Sequence, residues 1–170
     1  VNITAIKTAI YQWARAALPG ITIYWDSPGA PRPPSPSIKL TLLGPGKLGE
    51  DEIQNVEGSL TDFRITGPRT LTVSINSYGS ESQQLMTNLQ SSLSNPDMLS
   101  ILSAALLSVT DEGTIKDLSA LVDTHIERRM QMDVNLLTVE SIIIQPGYID
   151  EVHISSSIGG VDNSFIAIKD

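Results

Sequence analysis

Along the first helical stretch of the chain, Ile3, Ile6, Ile10, Trp13 and Ala17 recur at intervals of three and four residues. That spacing places them on one stripe of an amphipathic helix. Asn2 is positioned to cap its start, and Pro19-Gly20 ends it. The period then changes to two. Ile21, Ile23 and Trp25 alternate with Thr22 and Tyr24, as in a half-buried strand. Trp13 and Trp25 read as core anchors that join this helix to this strand. Ile38, Leu40 and Leu42 resume the alternation until Gly44-Pro45-Gly46 breaks it. Residues 64–78 predict a long strand, with Leu71, Val73 and Ile75 inward and Thr70, Thr72, Ser74 and Asn76 outward. Residues 44–58 would top a hairpin between these two strands, and Gly79 closes the second.

Ser80-Glu-Ser-Gln83 has the spacing of a capping box and predicts the start of a second helix, with Leu85, Met86, Leu89 and Leu93 on one face. Asn95-Pro96-Asp97 restarts a short helix through Leu99, Leu102 and Ala105, with proline at its first position. Residues 106–110 suggest a short strand and Asp111-Glu-Gly113 a turn. The most regular alternation lies at residues 125–136. Ile126, Arg128, Met130, Met132, Val134 and Leu136 share one face, and His125, Glu127, Arg129, Gln131, Asp133 and Asn135 share the other. One face should be buried, with Arg128 at its margin, and the other wet. After Pro146-Gly147, residues 148–155 suggest one more strand.

Two main helices and about five strands, in the order helix, strand, strand, strand, helix, strand, predict an α+β fold. The expected form is an antiparallel sheet of about four to six strands with the two main helices packed on one face. Residues 1–155 would form this domain and residues 156–170, which contain Gly159-Gly160, an extended tail.

Charge adds a polarity to this picture. Residues 1–49 carry five basic side chains against Asp26, a net of +4, while the whole chain carries −8 and the remainder therefore −12. Such a split has two readings, loop composition on a solvated surface or the opposite-sign faces that head-to-tail subunit contacts in a ring require. Only 18% of residues are charged, which fits a surface partly covered by other subunits. The acidic balance argues against a general phosphate-binding surface, although a ring with an acidic lumen would let DNA slide without adhering. The amino-terminal apolar run is interrupted by Lys7, Gln12 and Arg15, so neither a signal peptide nor a membrane span is expected, and the chain reads as soluble and cytosol-made.

Little in the sequence points to catalysis. The absence of cysteine excludes disulfides, thiol nucleophiles and Cys-ligated metals. His125 and His153 lie far apart with no HExxH spacing, and there is no GxSxG elbow. Gly44-Pro-Gly-Lys47 superficially resembles a phosphate loop but lacks the GxxxxGK[ST] spacing and the following helix. Glu50, Asp51 and Glu52 lack the alternating ligands of a calcium loop. Arg128 and Arg129 point to opposite faces of a strand. No catalytic, metal-binding or cofactor-binding residue is therefore assigned.

Two segments instead suggest contacts. Five of the ten prolines fall in Asp26-Ser-Pro-Gly-Ala-Pro-Arg-Pro-Pro-Ser-Pro36. Consecutive prolines fix an extended backbone, giving either a stiff crossing loop or a pre-ordered arm that docks on a neighbour. Pro28, Pro31, Arg32, Pro33, Pro34 and Pro36, with Glu50, Asp51 and Glu52 of the acidic loop, are the candidate interface residues. Glu127, Arg129, Gln131 and Asp133 form a candidate lumen or contact face, or plain solvent-facing surface.

The ordered set of features resembles the phage neck or tail terminator (tail-completion) proteins of tailed phages and prophages. The resemblance is carried first by the helix with Trp13, then Trp25 and Pro31-Arg-Pro-Pro-Ser-Pro36 leading into a strand. Next comes Gly67-Pro-Arg-Thr-Leu-Thr-Val-Ser-Ile-Asn-Ser-Tyr-Gly79, feeding the second helix. The most specific is the run from Asp117 to Asp133, where Leu-Ser-Ala-Leu precedes a Glu-Arg strand. The resemblance implies a structural virion protein without enzymatic activity. It implies a hexameric ring that caps the tail tube, stops its growth and docks the head connector, with genomic DNA passing through the lumen unbound. In contractile tails the ring would also meet the sheath. The implied place is the virion neck, after assembly in the host cytoplasm. Two other readings are a monomeric or dimeric α+β adaptor or assembly chaperone, and a hydrolase using His125 or His153.

Overall fold

The computed structural model describes residues 1–59, 61–122, 125–145, 151–158 and 161–168, of which 122, 125, 151–158 and 161–168 are described for their backbone alone. Its helices are α1 (Ile3–Ala17), α2 (Ser82–Ser92) and α3 (Pro96–Ser103). Its strands are β1 (Thr22–Trp25), β2 (Ser37–Lys47), β3 (Glu52–Asn55), β4 (Phe63–Tyr78), β5 (Ser108–Asp111), β6 (Lys116–Asp117), β7 (Ala120–Val122), β8 (His125–Glu127), β9 (Arg129–Ile144), β10 (Glu151–Ile158) and β11 (Val161–Ile168). The chain divides into two compact units: Val1–Asp51 with Thr66–Ser141, and Glu52–Ile65 with Ile142–Asp170.

The first unit holds the core. Asn2 caps α1 by accepting the Ala5 N–H at 3.1 Å, and Ile6, Ala9, Ile10, Trp13 and Ala14 are buried along one stripe. Trp13 is the larger anchor, with its indole Nε1 donating to Ser92 Oγ at 3.0 Å. Trp25 is only half-buried. The α1 stripe joins Leu85, Met86, Leu89 and Leu93 of the α2 region, Leu102 of α3 and the inward residues of the strands in one hydrophobic cluster. Ile38, Leu40, Leu71, Val73, Ile75, Met132, Val134 and Leu136 are the strand contribution, and each is nearly or fully buried. Each such side chain contributes about 1.5–3 kcal/mol on burial.

The fold is α+β, and its main sheet has seven strands in the order β1-β2-β4-β9-β5, with β3 pairing β4 and β6 pairing β9. The sheet is mixed, where the alternation alone suggested an antiparallel one. β1 runs parallel to β2, Thr22 opposite Ser37 and Trp25 opposite Leu40. Parallel neighbours need a crossover connection, and the proline-dense residues 26–36 supply it. An extended proline-rich backbone advances about 3 Å per residue, more than enough to return along a four-residue strand.

Several local expectations are corrected. Gly44-Pro45-Gly46 does not end β2. The strand continues to Lys47 through a bulge, where the register shifts between the Leu43–Thr72 and Gly46–Thr70 pairs. A bulge leaves a residue unpaired, so proline's missing N–H is tolerated there. The Ser80–Gln83 capping box does not form. Gly79, at φ +112, turns the chain so that the Ser82 N–H donates to Gly79 O, and α2 begins at Ser82 without a side-chain cap. The expected strand over 125–136 is split at Arg128. β8 pairs with β7 as a separate two-stranded sheet, and only β9 enters the main sheet. In the second unit, β10 and β11 form an antiparallel pair, Glu151 opposite Ile168, where an extended tail from residue 156 was expected. Pro146-Gly147 and Gly159-Gly160 lie outside the described residues.

Candidate assembly surfaces

The first candidate surface is built where the proline-rich crossover meets the end of β4. Arg32 lies over the Tyr78 ring, its Cζ 4.5 Å from the centroid, and its guanidinium pairs with Glu127. Arg129 approaches the same ring at 5.7 Å and donates to Asn76 Oδ1 from Nε at 3.1 Å and Nη2 at 2.8 Å. Glycine is favoured at position 79 by its φ of +112, which strains any L side chain, and a Cβ added there would also come within 3.2 Å of that of Ser35. Its N–H also donates to Arg128 O at 3.1 Å. A shallow cavity of about 280 Å³ is lined by Arg32, Ser35, Gly79, Ser80, Ile126 and Glu127, among others. Arg32 of the arm and Glu127 of the candidate contact face, 95 positions apart, thus form one cluster. Exposed contacts of this kind are each worth about 0.5–1 kcal/mol. Pro28, Pro31, Pro34 and Pro36 are exposed and Pro33 half-buried. Nearby, the buried Tyr24 and Ser37 hydroxyls have no hydrogen-bond partner among the described residues. Burial pushes the Tyr24 hydroxyl above its ordinary pKa, with Tyr78 adding to the effect and Arg32 opposing it.

The second surface is the polar face of the main sheet, opposite the helices. Arg129, Gln131, Asp133 and Asn135 alternate with the buried Met130, Met132, Val134 and Leu136, and all four are half-buried. They are tied across to β4. Gln131 Nε2 donates to Ser74 Oγ at 3.2 Å and to Asp133 Oδ1 at 3.2 Å, while Thr72 Oγ1 donates to Asn135 Oδ1 at 2.7 Å. Asn76 was expected outward on this face. It is buried, because the Arg129 guanidinium lies over it. Arg129 and Asp133 give the face charges of both signs, so it is polar rather than acidic.

The acidic loop separates by residue. Arg69 holds Asp51 with two hydrogen bonds, Nη1 to Oδ1 at 2.6 Å and Nη2 to Oδ2 at 3.1 Å, and Lys47 Nζ adds a contact at 3.1 Å. The Arg69 hydrogen bonds, then that of Lys47, hold the Asp51 carboxyl below its ordinary pKa. Gly67 lacks a side chain where one would run into this carboxylate. Asp51 is thus committed to the fold of its own chain, whereas Glu50 and Glu52 are exposed.

The exposed apolar residues are what the sequence reading missed. Leu121 and Ile126 stand opposite each other on the β7–β8 pair and are 72% and 69% exposed, with Leu118 at 41%. The Leu-Ser-Ala-Leu run was a signal for them, since so short a strand pair cannot bury its own apolar residues.

Among the described residues no group of three His, Asp or Glu side chains is placed to hold a metal ion. The His125 and His153 side chains lie outside the described residues. Among the described residues, too, no helix is long and apolar enough to cross a membrane. A family model described as phage neck terminator protein matches residues 4–163. No curated protein matches the chain.

Proposed function

The chain belongs to the phage neck terminator protein family, a structural family of the virion neck, and from that premise we propose that it acts as a ring, hexameric in form, at the head–tail junction. In this role it caps the tail tube, stops elongation and offers the docking surface for the head connector. In a contractile tail it also meets the last sheath ring. The family match, which runs from the first turn of α1 into β11, carries the reading.

The surface chemistry supports it. Leu121 and Ile126 expose apolar area beside the Arg32–Glu127 cluster, as expected of a face covered by another neck component. Pro28, Pro31, Pro33, Pro34 and Pro36 present a stiff edge that loses little entropy on docking, and Arg32 holds it in place. Glu50 and Glu52 offer exposed carboxylates to a partner, while Asp51 keeps the loop's base in place. The polar face with Arg129, Gln131 and Asp133 is suited to a hydrated lumen past which DNA moves without adhering.

Negative-stain imaging of particles lacking the protein tests this reading. Overlong tails and heads that fail to join are expected, with joining restored by the purified protein as a sixfold ring. Normal-length tails fully joined to heads in its absence would refute it.

A further inference from the structure

Resting on the ring reading, we propose that the two free edges of the main sheet are the lateral contact between copies of this chain. The β5 edge of one copy packs against the β1 edge of the next. The strand order leaves β1 and β5 at opposite ends of one sheet, and each is a four-residue strand whose outer side has no ladder partner among the described residues. Unpaired edges of this kind are templates for association unless covered.

Both edges carry a groove, and the two grooves differ in charge. Beside β1, a groove of about 390 Å³ is lined by Thr4, Lys7, Thr8, Tyr11 and Trp25. Lys7 Nζ stands 5.2 Å above the half-buried Trp25 ring, and Arg15 reaches Tyr11 Oη at 3.4 Å. Beside β5, a groove of about 670 Å³ is lined by Leu93, Leu99, Leu107, Val109, Asp111 and Glu112, among others.

The charges at these edges are among those that form no ion pair within the described residues. Of the other candidate residues, Arg32 is already spent on Glu127 and Asp51 on Arg69 and Lys47, while Glu50 and Glu52 line neither groove. Asp26, at the end of β1, is matched by Lys39 at 3.5 Å. Among the described residues, no ion pair involves Lys7, Arg15, Asp111 or Glu112. Lys116 of β6, the nearest cation in sequence to the acidic groove, is exposed and outside its lining. A basic, aromatic groove and an acidic, aliphatic groove at opposite ends of one sheet fit each other in successive copies. Such a heterologous contact repeats around a closed ring, and the complementary charges fix its direction.

The test uses paired charge reversals and mass measurement by light scattering and negative stain. One variant carries Lys7→Glu and Arg15→Glu, the other Asp111→Lys and Glu112→Lys. Each alone should associate at least tenfold more weakly than the unaltered chain, while an equimolar mixture should recover rings of alternating variants. Asp111 Oδ1 accepts the Gly113 N–H at 3.1 Å, so a second pair, Lys7→Glu with Glu112→Lys, spares that turn. Unchanged circular dichroism melting verifies each fold. Rings formed normally by both single variants would overturn the edge contact and leave the ring reading standing. So would variants that dissociate but do not recover on mixing, because the two edges would then not be each other's partner. An unaltered chain that stays monomeric both in solution and in tails would refute both readings together.

Discussion

β8 and β9 are consecutive stretches of one alternating sequence, separated by the single residue Arg128, and they end in opposite circumstances. In β9 the even positions Met130, Met132, Val134 and Leu136 are no more than 8% exposed. In β8 the even position, Ile126, is 69% exposed. Alternation sets which residues share a face, but burial depends on whether that face meets a second layer. β9 lies in the main sheet, whose inward residues cluster with the three helices, whereas among the described residues β8 pairs with β7 alone. The break coincides with Arg128, whose carbonyl accepts the Gly79 N–H and so ties the chain to the end of β4.

The strongest way to sharpen this contrast is to remove side-chain volume on the buried side. Met132 is fully buried in the core cluster, so Met132→Ala leaves a cavity among neighbours that relax only partly. A loss of about 2–5 kcal/mol is expected, read by urea denaturation at unchanged quaternary state. A loss under half a kilocalorie would mean that the β9 face is not the packed one.

A second, smaller effect concerns the first residue after the break. Arg129 donates twice to the buried Asn76, so Asn76→Ala removes the acceptor and leaves a half-buried guanidinium without it. The expected loss is about 1–3 kcal/mol. Adding Arg129→Met should recover part of it, because the stranded charge goes with the arginine. If the double variant is as unstable as the sum of the two single changes, the pair does not act as a unit.

The sequence disclosed those features that depend on near neighbours. The α1 stripe, the Asn2 cap, the inward set Leu71, Val73 and Ile75, and proline at the start of α3 all follow from spacing within a few residues. It misled where a local signal was overridden. The Ser80–Gln83 box lost to the Gly79 turn, and Gly44-Pro45-Gly46 became a bulge because β4 continues alongside it. The pairing of Arg32 with Glu127, or of Asp51 with Arg69, depends on how distant strands are brought together, and no local pattern encodes that. Among the candidate site residues, the sequence located Glu50 and Glu52 as exposed carboxylates. It could not show that Asp51 between them faces an internal partner.

The smallest expected effect on stability is the most informative about function. Ile126 and Leu121 face each other across the β7–β8 pair but contribute little to the core, so Ile126→Ser and Leu121→Ser should each change monomer stability by no more than about 0.5 kcal/mol. If the exposed pair is covered in the assembled neck, the same changes should weaken joining of purified heads and tails at least tenfold, because apolar area lost from an interface is lost from its affinity. The two measurements are independent: chemical denaturation reports the monomer, and counting joined particles reports the assembly. A stability loss as large as that of Met132→Ala would put Ile126 in the core and erase the contrast between β8 and β9. Full joining with unchanged stability would make the pair ordinary solvent-facing surface. Stable monomers that fail to join are the result that separates the two halves of this alternating run, one half holding the fold and the other meeting its neighbours.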